Sequence, residues 1–245
     1  MKFLIVASTK DPASLNMAEH FDNVFLVEKD LLKLNRDDLE KADYYIFLSK
    51  HRSSTNKPSL TVHVPGNLTE SNETGGNPKE VCPCCPILNT ILLNKIKEKS
   101  YNLNYDVCFE VVHHSPTDLE GKTVFVEIGS SEKEWRDKIA GKIMAEAVKE
   151  AIEVIKKKDY DEKEKVIGFG GGHYAPKFTK LALEKKCYFG YLVPKYASVD
   201  EQVLNQMIEK SEVDKVLIDW KGCRGEDKRR YIKFFEDIGI PWEKI

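Results

Sequence analysis

The sequence predicts an α/β protein, a three-layer α/β/α arrangement around a mostly parallel or mixed central sheet. Short β-branched or aromatic runs bounded by turn residues recur along the whole chain. In the second half they alternate with helical patterns, which places helices on both faces of a sheet. A chain of 245 residues is a length that α/β folds fill as one unit, so residues 1–245 read as a single domain.

Strands are expected at Phe3 to Ala7, Val24 to Val27, Tyr44 to Leu48 and Thr61 to Val64. More are expected at Val107 to Val112, Val124 to Ile128, Val166 to Phe169, Tyr188 to Val193 and Val216 to Ile218. The longest helix starts near Ser130 and Ser131, where Ser131 and Glu134 have the spacing of a capping box. Its apolar stripe is read through Trp135, Ile139, Ile143, Ala147, Ala151 and Val154, and Lys156 to Lys158 suit the negative end of the helix dipole. Pro65 to Pro86 is the one long irregular stretch, and loops of that length in compact domains are usually functional or disordered.

Composition narrows the class further. The chain is 41% hydrophobic and 32% charged with a net charge of −2, which is globular and argues against a general nucleic-acid coat. The opening MKFLIVAS is followed at once by Lys10 and Asp11, too short for a signal peptide, and no apolar run approaches the roughly 20 residues of a membrane helix. The expected location is cytoplasmic, and the six cysteines are expected to be reduced thiols. Only two glutamines beside abundant Lys, Glu and Ile hint at a high-temperature organism.

Three strand ends carry candidate chemistry. VCFEVVHH, Val107 to His114, runs an apolar strand into His113 and His114, and strand ends are where α/β sheets bind ligands. Because side chains alternate along a strand, the two rings are expected to face opposite ways unless the backbone twists. VIGFGGGHYAP, Val166 to Pro176, runs another strand into three glycines and His173; glycine backbones approach ligands closely and their N–H groups hold anions. Glu127 sits within a third apolar strand, where a buried carboxylate must be paired or ligate something. Two imidazoles and a carboxylate, His114, Glu127 and His173, make the donor set of catalytic zinc sites. Lys50-His51-Arg52 and His63 end two further strands, with Arg52 suited to phosphate. The bland alternatives are solvated turn histidines, a structural glycine turn, a salt bridge and an exposed basic turn. Cys82-Pro83-Cys84-Cys85 has one Cys-x-x-Cys spacing but no second pair at zinc-ribbon distance.

Six segments together resemble the archaeal and plant type of D-aminoacyl-tRNA deacylase: SKHRS at Ser49 to Ser53, Gly66-Asn67, Gly75-Gly76-Asn77-Pro78, HHSPTD at His113 to Asp118, EIGSSEKEW at Glu127 to Trp135, and GGGHYAP at Gly170 to Pro176. They occur in the family's order and span nearly the whole chain. The resemblance implies a phosphorylase- or hydrolase-like fold and a Zn2+-dependent hydrolase that cleaves D-aminoacyl-tRNA; separately, the protein is expected to be a monomer. Candidate catalytic residues are then His113, His114, Glu127 and His173, with His114, Glu127 and His173 as metal ligands. Lys50, His51, Arg52, His63, Asn67, Gly171 and Gly172 are expected on the substrate side, the two glycines as N–H donors to an oxyanion. Lys57, Arg224, Arg229 and Arg230 are expected to meet tRNA phosphates. A nucleoside phosphorylase, a small metallopeptidase and a non-catalytic RNA-binding module are the competing readings.

Overall fold

The computed structural model describes all 245 residues. Twelve strands and seven α-helices follow one another as β1 Phe3–Ser8, α1 Pro12–Ala18, β2 Phe25–Val27, β3 Tyr44–Arg52, β4 Ser59–His63, β5 Gly66–Asn67, β6 Glu80–Val81, α2 Pro86–Lys99, β7 Asp106–Phe109, β8 Lys122–Ser130, α3 Glu132–Trp135, α4 Lys138–Lys157, β9 Lys165–Phe169, α5 Pro176–Leu183, β10 Tyr188–Val193, α6 Glu201–Glu209, β11 Lys215–Ile218, α7 Gly225–Asp237 and β12 Trp242–Lys244. A six-stranded sheet has the order β2-β1-β3-β8-β4-β7 and a four-stranded sheet the order β10-β9-β11-β12. All pairings in both are parallel except β4 with β8. The expected three-layer architecture with a mixed, mostly parallel sheet is the observed one.

Burial on both faces explains why the strands read as continuous apolar runs. On β3, Tyr44, Ile46 and Leu48 enter one core while Tyr45 and Phe47 enter another. On β9, Val166 faces the first core while Ile167 and Phe169 face a third. Helices α1, α2, α4 and α5 cover the first face; α6 and α7 cover the opposite face of the four-stranded sheet, and short 3-10 turns from Leu31 to Asp38 flank that of the larger sheet.

Several expectations need correction. The strand expected over Val107 to Val112 ends at Phe109, because its continuation leaves the ladder and stitches the two sheets together. Glu110 donates its N–H to Val62 O of β4 at 3.0 Å, and Val112 donates to Leu192 O of β10 at 2.8 Å. The long irregular stretch contains the two-stranded ribbon of β5 and β6.

At the long helix, Glu134 accepts hydrogen bonds from the N–H and hydroxyl of Ser131, as the capping spacing implied. That helix ends after Trp135, and Asp137 caps a new one through Ile139 and Ala140 N–H. The restart changes part of the stripe: Trp135, Ala147 and Ala151 are buried as expected, but Ile139 is 61% exposed, and Ala140, Met144, Val148 and Ile155 face the core as well. No helix is long and apolar enough to cross a membrane.

Candidate active site

Five of the six histidines and two glutamates gather where the two sheets meet. Each arrives for a local reason. His51 ends β3 opposite Gly129 of β8, and a Cβ on Gly129 would stand 2.9 Å from His51 Cβ and 2.7 Å from Ser59 Oγ. Only glycine lets the imidazole lie across β8 there. Glu127 stands in β8 between Ser49 and Thr61, and His63 ends the antiparallel neighbour β4. His173 follows the glycine run, and its carbonyl accepts from Val111 N–H at 2.9 Å, which ties the loop to the stitching segment.

His114 takes a φ of 50°, the left-handed region that non-glycine residues seldom enter. The turn cancels strand alternation, so both adjacent rings reach His63, with centroids 4.2 Å away for His113 and 4.8 Å for His114. The twist needed for adjacent histidines to share one site is therefore present.

Glu110 is the centre of the polar contacts, and it was not singled out from the sequence. Its Oε2 accepts from His173 Nε2 at 2.6 Å and lies 3.4 Å from His113 Nε2. Its Oε1 lies 3.1 Å from His51 Nδ1, but the ring faces it obliquely and gives it no directed hydrogen bond. His51 Nδ1 is also 3.5 Å from Glu127 Oε2, and its Nε2 meets the Tyr174 hydroxyl at 2.9 Å. Glu127 Oε1 is 3.9 Å from His114 Nε2.

These contacts set the charges. Burial works against an ionised Glu110, but the hydrogen bond from His173 and the adjacent His51 ring outweigh it and hold its carboxyl well below the usual range. Burial likewise opposes a cationic His51, yet Glu110 and Glu127 outweigh it and raise its pKa. Burial lifts Glu127, and the neighbouring Glu110 charge adds to the lift. Burial and mutual repulsion push His63 and His113 down and bring His114 to about 3. The site thus holds an anionic Glu110 and a cationic His51 beside the neutral rings of His63, His113 and His114.

Those imidazoles are arranged as donors of lone pairs. His113 Nδ1 lies 2.8 Å from Val111 O and His114 Nδ1 2.7 Å from Ser115 O. A carbonyl only accepts, so each Nδ1 carries the proton and each Nε2 presents a bare pair to the cluster. His63 Nε2 is 3.1 Å from His114 Nε2 and must donate to it, which leaves His63 Nδ1 buried and without a partner. Three overlapping sets bring their ligand atoms within 4.8 Å of one another: His63, His113 and His114; His51, Glu110 and His173; and His63, Glu110 and Glu127. Facing lone pairs and an orphaned nitrogen fit a divalent cation such as zinc.

The three ligands expected to act together, His114, Glu127 and His173, are divided among these sets, because His173 spends its Nε2 on Glu110. Gly171 is not free to meet an oxyanion: its N–H donates to Gly222 O at 2.8 Å. Gly172 has open space at its Cα. Asn67 is buried and turned inward, its amide donating to Gly75 O and Asn77 O, so it holds the loop instead of a substrate. Lys50 leans toward Asp11, Arg52 lies over the Trp135 ring, Lys57 pairs with Asp106 and Arg230 with Asp227. Arg224 and Arg229 are exposed at the start of α7. The cysteines of the Cys82 to Cys85 cluster are buried free thiols.

An α/β sheet carrying a buried imidazole and carboxylate cluster at its strand ends has the make-up of an enzyme site suited to acid–base or metal-assisted chemistry. Residues 38–243 match the model of the D-aminoacyl-tRNA deacylase family. The D-aminoacyl-tRNA deacylase of Methanocaldococcus jannaschii is 66% identical over the full length of both chains, and that of Methanococcus maripaludis (strain S2 / LL) is 48% identical over the full length of both. The enzyme of that name from Pyrococcus furiosus is 39% identical over 83% of this chain and 74% of its own. A crystal structure of a conserved protein of unknown function superposes with a TM-score of 0.89 at 25% identity, covering 99% of this chain and 95% of that one. The chain belongs to the D-aminoacyl-tRNA deacylase family.

Proposed function

We propose that this protein hydrolyses the ester joining a D-amino acid to the 3′ end of tRNA, and that the histidine and glutamate cluster carries out the reaction with a bound zinc ion. The observation that carries the reading is the convergence of five imidazoles on the two carboxylates of Glu110 and Glu127 in a chain of this family. Zinc fits His63, His113 and His114 best, and it would supply Lewis acidity toward the ester carbonyl and lower the pKa of water.

The chain's own groups then divide the proton work. Glu127, lifted by burial, is suited to take a proton from the attacking water near neutral pH. His51, kept cationic by the two carboxylates, donates from Nε2 to the Tyr174 hydroxyl, which leaves the phenol proton free for the departing ribose oxygen. The absence of a long apolar helix is compatible with the cytoplasm, where charged tRNA is made.

The test is incubation with D-tyrosyl-tRNA and L-tyrosyl-tRNA, each with and without a chelator. Free tyrosine is expected from the D-ester alone, with loss under chelation and recovery on adding zinc. No release from either ester overturns the reading, and release indifferent to chelation removes zinc from it.

A further inference from the structure

A cavity of about 640 Å³ opens beside the cluster between β7, α2 and α5. Val107, Pro176 and Leu183 supply apolar wall, and Tyr174 stands between the cavity and His51. Ser59 also lines it: that side chain is 4% exposed, and its hydroxyl has no hydrogen-bond partner. Lys57, Lys97 and Lys180 stand around the opening. Lys57 and Lys180 are paired with Asp106 and Glu184, while Lys97 makes no ion pair.

We infer that this cavity receives the terminal nucleoside of the tRNA, stacked on its apolar wall with an edge toward Ser59 Oγ and the adjoining phosphate toward Lys97. This assignment rests on the deacylase reading above and extends it. Three features favour a nucleotide over an amino-acid side chain. A nucleobase is apolar on its faces and polar at its edges, which suits an apolar slot with one unsatisfied buried hydroxyl. Lys97, the one lysine at the opening without a carboxylate partner, suits a phosphodiester and gives nothing to a hydrocarbon or aromatic side chain. The Tyr174 hydroxyl, at the boundary, is placed to meet a ribose oxygen whose base lies in the cavity and whose ester lies over the cluster.

The probe is adenosine 5′-monophosphate, added to the isotope-labelled full chain while amide shifts are followed, alongside D-tyrosinamide as the amino-acid counterpart. The nucleotide is expected to shift Val107, Cys108 and Leu183, and D-tyrosinamide to leave them unmoved. Two variants follow. Cys108→Phe, which fills the slot, should weaken nucleotide binding about tenfold or more, the scale of one lost base stack. Lys97→Glu, a surface change that leaves the core intact, should weaken it several-fold and flatten its salt dependence. Both should raise KM for D-alanyl-tRNA and D-tyrosyl-tRNA by a common factor. Shifts caused by D-tyrosinamide instead, or a loss confined to bulky amino acids, would reassign the cavity and overturn the inference. Wild-type turnover without nucleotide shifts at this wall also overturns it, leaving the deacylase reading standing; no turnover by the wild type overturns that reading itself.

Discussion

Glu110 has no water to hide its charge in, so its ionisation depends on the two rings that grip it. Buried carboxylates of this kind lose much when their role is removed, and general acid–base groups contribute about 10² to 10⁴-fold to rate. Glu110→Gln keeps the shape and is expected to lower the raised pKa of His51 as well, since that rise depends on Glu110 and Glu127 together.

His114 gives a prediction about stability and pH. An unfolded imidazole takes up a proton near 6.5, whereas the folded ring stays neutral until about 3. Between those values the unfolded state binds the extra proton, so the stability present above pH 6.5 is lost as pH falls toward 3. In metal-free protein, His114→Asn should show a shallower loss of stability over that window, with one fewer proton taken up on unfolding; an unchanged slope would contradict the buried, neutral assignment. His113 and His114 were legible as a pair of site histidines, but the φ of 50° that turns both rings inward was not, because no residue pattern marks a non-glycine left-handed turn. Glu110 was missed for a related reason: in VCFEVVHH it sits among apolar residues like any single charge on a strand edge, and only the partners from two other segments give it meaning.

Elements deliver these residues through strand ends, and the glycine loop is the most exacting of them. Gly170 has a φ of 108°, and a Cβ there would stand 3.0 Å from the backbone of Gly222. Gly170→Ala is therefore expected to cost about 1–3 kcal/mol, the scale of backbone strain at such sites. It should also lower deacylation by more than it lowers stability would imply, since His173 rides on this loop; a fall in Tm with normal turnover would separate the loop from the chemistry. The loop's glycines were legible as a close backbone approach, but what they approach proved to be the segment at Asp219 to Gly222, not a substrate oxyanion. The nine expected strands all exist, with ends shifted where pairing extends or cuts them, as β3 is extended along β8 to Arg52. The long helix was legible from Ser131 and Glu134, and its interruption at Arg136 and Asp137 escaped notice because Asp137 reads equally well as a charged residue on an exposed face.

At the scale of the whole molecule, the site exists only because two sheets are joined. His51, His63, Glu110 and Glu127 come from the larger sheet or its immediate extension, whereas His173 follows β9 of the smaller. The segment from Glu110 to Val112 hydrogen-bonds to both. Unfolding is accordingly expected to be one transition, with fluorescence and far-UV circular dichroism coincident; two separated transitions would show that the sheets fold apart. The alternation of strand and helix made the layered architecture legible. The division into two sheets was not, since strand order depends on pairings between segments more than 50 residues apart, such as β3 with β8.

The histidine and glutamate cluster that the buried carboxylate of Glu110 organises is held to cleave the D-aminoacyl ester. Single-turnover deacylation of D-tyrosyl-tRNA by Glu110→Gln, beside wild type, tests it most directly. The rate should fall at least about 10²-fold with circular dichroism unchanged. A variant that folds normally and turns over at the wild-type rate would contradict it.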